Sequence, residues 1–181
     1  MSTGSDWEEP KHGMSAWPIE RLQAFTTDTH DSRQLEAFRV VAQQHAYRDS
    51  DQPQISRLKW AELSLLASRR MQGDGSGVAD REVTQDFMLR MWVIRHLAPD
   101  HEDPNWSPEG LAADTLGALS LTPSDVGASA TKWRELPIEQ IRELRRHKNL
   151  TAHLEHLISY LQPGPTRDRL ILWTETRRLL P

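Results

Sequence analysis

Apolar positions along this chain recur at three- and four-residue steps and almost never alternate, the period of an amphipathic helix rather than of a half-buried strand. The pattern predicts an all-α fold. Trp17-Pro18-Ile19 opens a short helix to about Phe25. Leu35, Phe38, Val41, Ala42 and His45 then fall on one helical face. The polar run Asp49 to Pro53 breaks the chain, and a long helix from Ile55 to Met71 is expected to bury Ile55, Leu58 and Leu65.

From Asp80 to Leu97 the spacing of Val83, Phe87, Met91 and Ile94 is again helical. Met88, Trp92 and Val93 make this segment apolar on most sides, which marks a buried helix. Phe87, Met91 and Ile94 should therefore be nearly inaccessible to water. Ser107-Pro108-Glu109 is a helix start: a capping hydroxyl, proline at the first helical position, then an acid in the first turn. That helix runs to about Leu119. Thr122-Pro123-Ser124-Asp125 repeats the logic with an acid placed to complete a capping box, and a helix is expected through Val126, Ala130 and Trp133. Pro137 opens another. Its face of Ile138, Ile141 and Leu144 does not line up with Leu150, Leu154, Leu157 and Leu161, so a kink is expected near Lys148-Asn149. Pro163-Gly164-Pro165 reads as a stop before a last helix from Arg167 to Leu180. The architecture expected is an irregular bundle of about seven or eight helices around a central apolar helix at 81–97. Residues 15–181 form one domain in this reading, behind a polar, acidic and disordered tail at residues 1–14.

Composition narrows the chemistry. The 181 residues include no cysteine, which excludes disulfides, thiolate metal sites and cysteine nucleophiles. No apolar run reaches the length of a bilayer span. The first residues lack the basic start and apolar stretch of a signal peptide, so the expectation is a cytoplasmic protein that does not enter membranes. Net charge is −4, yet it is unevenly spread. Residues 121–181 hold 10 basic and 7 acidic side chains, whereas 61–120 hold 5 and 10. A polyanion would meet the last third, above all residues 132–148, where six cations face three acids.

Four constellations carry candidate chemistry. In the first, Ala113 and Gly117 followed by Thr122 to Val126 resemble a helix-turn-helix over 112–136. Its second helix would offer Ser124, Ser129, Lys132 and Arg134 to DNA, short polar donors for base edges and cations for phosphates. In the second, Lys148-Asn149-Leu150-Thr151-Ala152-His153 resembles the Arg-Asn-x-x-x-His core of the HEPN family, and Arg146 to His153 satisfies that family's broader spacing. HEPN proteins are helical bundles, many of them metal-independent ribonucleases. The resemblance implies a site at Arg146, Lys148, Asn149 and His153, with the histidine moving a proton and the cations holding the scissile phosphate. The third, Gln72 to Gly77, resembles a calcium loop but puts Gln72 and Val83 where acids are needed, with Glu82 one place early. The fourth, His147, His153 and His156, lacks further ligands for zinc. The balance points to a non-catalytic binding protein without metal or cofactor. It would act on a protein partner or a second copy of itself, or on DNA through 112–136. The alternative is the HEPN-like ribonuclease. A DNA reader needs 123–134 exposed; a nuclease needs Arg146, Lys148 and His153 converging in a cleft.

Overall fold

The computed structural model describes residues 13–72, 79–97 and 102–180. Residues 1–12 of the expected tail and most of the calcium-like loop lie outside that range. Among the described residues every regular element is helical: nine α-helices and two 3-10 turns. Packing divides the chain into two compact units, Met1–Leu89 and Arg90–Pro181.

In the first unit a 3-10 turn, Met14–Ala16, precedes α1 (Ile19–Asp28), α2 (Ser32–Arg48) and α3 (Gln54–Gln72). Asp31 starts α2 by accepting the Arg33 N–H at 2.8 Å, a donor left open by the helix itself. Across the break at 49–53, α2 and α3 pack as a helical hairpin, the most extensive contact in the chain, and α1 lies on α3. Alanines at 42, 46, 61 and 67 are fully buried, and their small side chains let helix backbones approach. Around them stand Met14, Leu22, Leu35, Phe38, Leu63 and Met71, with Trp17, Phe25 and Trp60 at the margin. Arg57 closes the end of α2 by donating to the carbonyls of Ala46 (2.9 Å) and Tyr47 (3.2 Å).

One expectation for this unit is corrected. Ile55 is 61% exposed. It shares its helical stripe with Lys59, Glu62, Leu66 and Arg69, all exposed, while the buried stripe runs through Ala61, Leu65 and Ser68.

The division falls within α4 (Ala79–His96). Phe87, Met91 and Ile94 are buried, as their spacing predicts, but Met88 is 43% exposed, so the helix keeps one open side.

The second unit contains α5 (Pro108–Ala118), α6 (Pro123–Ala130), a 3-10 turn at Trp133–Glu135, α7 (Ile138–Thr151), α8 (Leu154–Ile158) and α9 (Pro165–Arg177). Helix α9 packs on α5, α6, α7 and α8, with Leu170, Trp173 and Thr176 buried. Both expected caps form. Ser107 accepts the Gly110 N–H at 3.0 Å, and Thr122 and Asp125 make a complete capping box. Three boundaries differ from the sequence pattern. Helix α6 stops at Ala130 because the chain tightens there: Thr131 Oγ1 donates to the Ala128 carbonyl at 2.8 Å and Lys132 N to the Ser129 carbonyl at 3.1 Å. Pro165 opens α9 instead of ending the segment before it, since its missing N–H costs nothing at a first helical position. The break expected near Lys148-Asn149 comes at Ala152-His153.

Arg90, 3% exposed, holds an irregular stretch in this unit. It donates to the Asn105 carbonyl at 2.7 Å, the Pro104 carbonyl at 2.8 Å and the Asp114 carboxylate at 2.6 Å. The loop it draws in crosses α5 so closely that a Cβ at Gly110 would sit 2.0 Å from the Pro104 oxygen.

Candidate functional site

Helix α7 carries most of the cations singled out above, and its faces separate by spacing. Leu144, His147, Leu150 and Thr151 are buried. Ile141, Leu144, Arg145 and Lys148 follow one another at helical steps and line a cleft with Trp133 and Leu180. The cleft encloses about 160 Å³ and is open on one side. Pro137 leads into α7 from an extended conformation, which brings Trp133 and its 3-10 turn to the start of that stripe. The lining is mostly apolar, with two cations toward the C-terminal end of the helix.

Thr151 is the last residue of α7. Its hydroxyl donates to the His147 carbonyl at 2.6 Å, and Ala152 N closes on the Asn149 carbonyl at 3.2 Å. Thr26 and Thr115 make the same bond inside helices that continue, so the hydroxyl alone does not end α7. His153 lies outside α7, as the residue before α8. It is half-buried; burial pushes its imidazole below the ordinary range, and the charges of His156 and Arg177 add to the effect. Arg146 and Lys148 are half-buried and Asn149 is exposed. The cleft takes in Lys148 but not Arg146, Asn149 or His153.

The DNA-reading candidates are more open. Ser124, Lys132 and Arg134 are exposed and Ser129 is half-buried. Only the two serines lie on α6, however; Lys132 and Arg134 follow its end. At the other end stands Asp125, fully exposed. The Thr122 hydroxyl donates to its carboxylate at 2.6 Å and the Thr122 N–H at 3.2 Å, and these bonds hold its pKa below the usual range. A full negative charge thus sits at the tip where a recognition helix would meet DNA.

His147 plays a part that the sequence reading did not give it. It is 1% exposed and lies 5.1 Å from the Trp173 ring, centroid to centroid. Its Nε2 accepts the Leu121 N–H at 3.3 Å. That bond requires a lone pair on Nε2, so in the neutral ring the proton resides on Nδ1, which is buried without a hydrogen-bond partner among the described residues. Ser120 Oγ lies 3.2 Å from Nε2 but gives its proton to Glu143 at 2.6 Å. The pair has the outward form of a serine nucleophile and its base, yet the histidine lone pair is occupied by backbone and the serine proton by a carboxylate. His147 is a tether for the connector between α5 and α6. Burial lowers its pKa; the Glu143 charge opposes the shift and Arg146 reinforces it. The signal was available in the spacing Leu144, His147, Leu150, Leu154, which places the histidine on the buried face.

Among the described residues no group of three or more histidine or acidic side chains could hold a metal ion, and no helix is long and apolar enough to cross a membrane. No family model, curated protein or solved structure matches this chain.

Proposed function

We propose that this chain is a non-catalytic binding protein that engages a protein partner through the basic face of its second unit. The observation that carries this reading is the apolar cleft at Trp133, Ile141, Leu144 and Leu180 with Arg145 and Lys148 beside it. Apart from Leu180, its lining lies within residues 132–148, where cations outnumber acids by six to three. Interface centres are apolar and enriched in aromatic residues and arginine, and this patch has that composition. The placement of His153 beyond the end of α7, with Arg146 and Asn149 outside the cleft, supports binding over the nuclease alternative. DNA binding through 112–136 is the second reading, favoured by the exposure of Ser124, Lys132 and Arg134. The Asp125 carboxylate at the tip of α6 opposes it, because phosphate contacts supply most of the affinity for DNA.

One gel tests the three readings. Labelled duplex DNA and single-stranded RNA are incubated with the protein at two salt concentrations, with and without chelator. The expected result is intact RNA and no DNA shift that depends on Lys132 and Arg134. Chelator-resistant cleavage lost in His153→Ala would replace the proposal with a ribonuclease. A salt-sensitive shift lost in Lys132→Ala and Arg134→Ala would replace it with a DNA-binding regulator.

A further inference from the structure

We infer that the Trp133 cleft is a pocket for one aromatic or branched aliphatic side chain of a peptide whose neighbouring residues are acidic. The inference rests on the binding-protein reading and gives its partner a chemistry. Size comes first. An apolar cavity of about 150 Å³ is large enough to take a benzene ring, and this cleft encloses about 160 Å³. It therefore accepts one side chain and not a helix face. Shape follows from the stripe. Ile141 and Leu144 form its apolar half and Arg145 and Lys148 its cationic half, at successive helical steps along α7. The stripe spans about 10 Å, at roughly 1.5 Å per helical residue. An extended peptide advances about 3.3 Å per residue. An anchor seated between Trp133 and Leu144 thus brings acids one to three positions away within reach of Arg145 and Lys148.

Charge complementarity selects the peptide. The two charged residues of the lining, Arg145 and Lys148, are both cations, while Lys132, Arg134 and Arg142 beyond the cleft stand among Glu135, Glu139 and Glu143, so the positive charge is concentrated at the cleft and suits acids placed close beside the anchor. A nucleic-acid strand would also bring negative charges and a ring. Its base, however, would press polar edges against Ile141, Leu144 and Leu180, which offer no hydrogen bonds, and unpaired polar groups are costly to bury. An apolar side chain carries no such penalty.

The probe is a fluorescein-labelled synthetic peptide, Asp-Glu-Asp-Trp-Glu-Asp-Glu, titrated with the full chain and read by anisotropy. Replacing its tryptophan with alanine should weaken binding about thirtyfold, as for a central interface anchor. Arg145→Ala should weaken it about two- to fivefold, as an exposed charge at a rim does, and raised salt should act in the same direction. Ile141→Glu, which places a charge in the half-buried floor, should remove measurable binding, with circular dichroism confirming that helix content is kept. Binding that ignores the tryptophan or Ile141→Glu would overturn the inference and reduce the site to a diffuse basic surface. No binding would overturn it too, while leaving a partner of other chemistry on the same face. Tighter binding of a twelve-nucleotide single-stranded RNA with the same dependence on Ile141 would overturn it in favour of nucleic acid. Failure of the binding-protein reading itself would show as RNA cleavage, which this titration does not register.

Discussion

Arg39 in the first unit and Arg90 in the second are equally buried, each 3% exposed, but they serve different kinds of structure. Arg39 bonds side chains: Glu36 through both carboxylate oxygens at 2.7 and 2.9 Å, Gln43 at 2.9 Å and, on α4, Gln85 at 3.3 Å, with Gln43 in turn donating to Tyr47 at 3.0 Å. The backbone around it is helical and already satisfied. Arg90 bonds backbone carbonyls of a loop that has no helical ladder to satisfy them. Buried backbone groups must be paired somewhere. A helical hairpin meets that demand by its own geometry and can fill its core with alanine, leucine and aromatic rings. The second unit joins short helices by irregular connectors, and spends Arg90 and His147 on holding them.

Three measurements break or sharpen this contrast. The largest effect is expected at Arg90. Arg90→Met should cost about 2–4 kcal/mol, because the Pro104 and Asn105 carbonyls lose their donors. Arg39→Met should cost about 1 kcal/mol, because the Glu36 side chain, 35% exposed, can return to water. Urea midpoints give the costs, and amide exchange locates them, at residues 102–118 for Arg90→Met and at α2 for Arg39→Met. Equal losses would mean that the distinction between loop and helix does not govern.

The next effect is smaller and has two signs. Gly110→Ala should destabilise by about 1–3 kcal/mol, since the new methyl meets backbone that cannot swing aside. Gly117→Ala, on the same helix with open space around it, should stabilise by about 0.5–1 kcal/mol. A neutral Gly110→Ala would show that the loop held by Arg90 is free to shift.

Acid supplies the smallest effect and tests the second tether. Burial lowers the His147 pKa from its ordinary 6.5, so the unfolded chain takes up its proton first. The stabilisation is complete above pH 6.5 and is lost as pH falls from there toward the folded value. His153 is shifted the same way and adds to the slope. Thermal melting between pH 7.5 and 5.5 should decline for the native sequence and decline less for His147→Gln. Parallel curves would show that His147 does not report on folding.

The helices were legible because their signals are local. Caps at Ser107 and Thr122 and the face of Leu35, Phe38 and Ala42 depend only on near neighbours in sequence. Ile55 was misplaced because an apolar residue in a first turn shows its stripe only when the whole helix is indexed. Neither Ala152 nor His153 is a helix breaker, so the end of α7 at Thr151 leaves no mark in the residue types. The candidate site was legible as a run of cations and no further. Nothing local links Trp133 to Leu180, and the cleft exists because α9 returns to α7. The role of Arg90 was hidden for the same reason, since its partners are carbonyls, which every residue has.

The arrangement around α9 also has a consequence in time. During synthesis the buried cluster shared by α1, α2 and α3 can form once residue 71 has emerged, Met71 being its last member among the described residues. Helices α5 to α8 all pack on α9, which follows all four in the chain. At about 5–20 residues per second, the interval between the end of α3 and the end of α9 is on the order of 5–20 s. Through that interval four short helices lack the surface against which they pack, so the second unit is the one that depends on protection while it is being made.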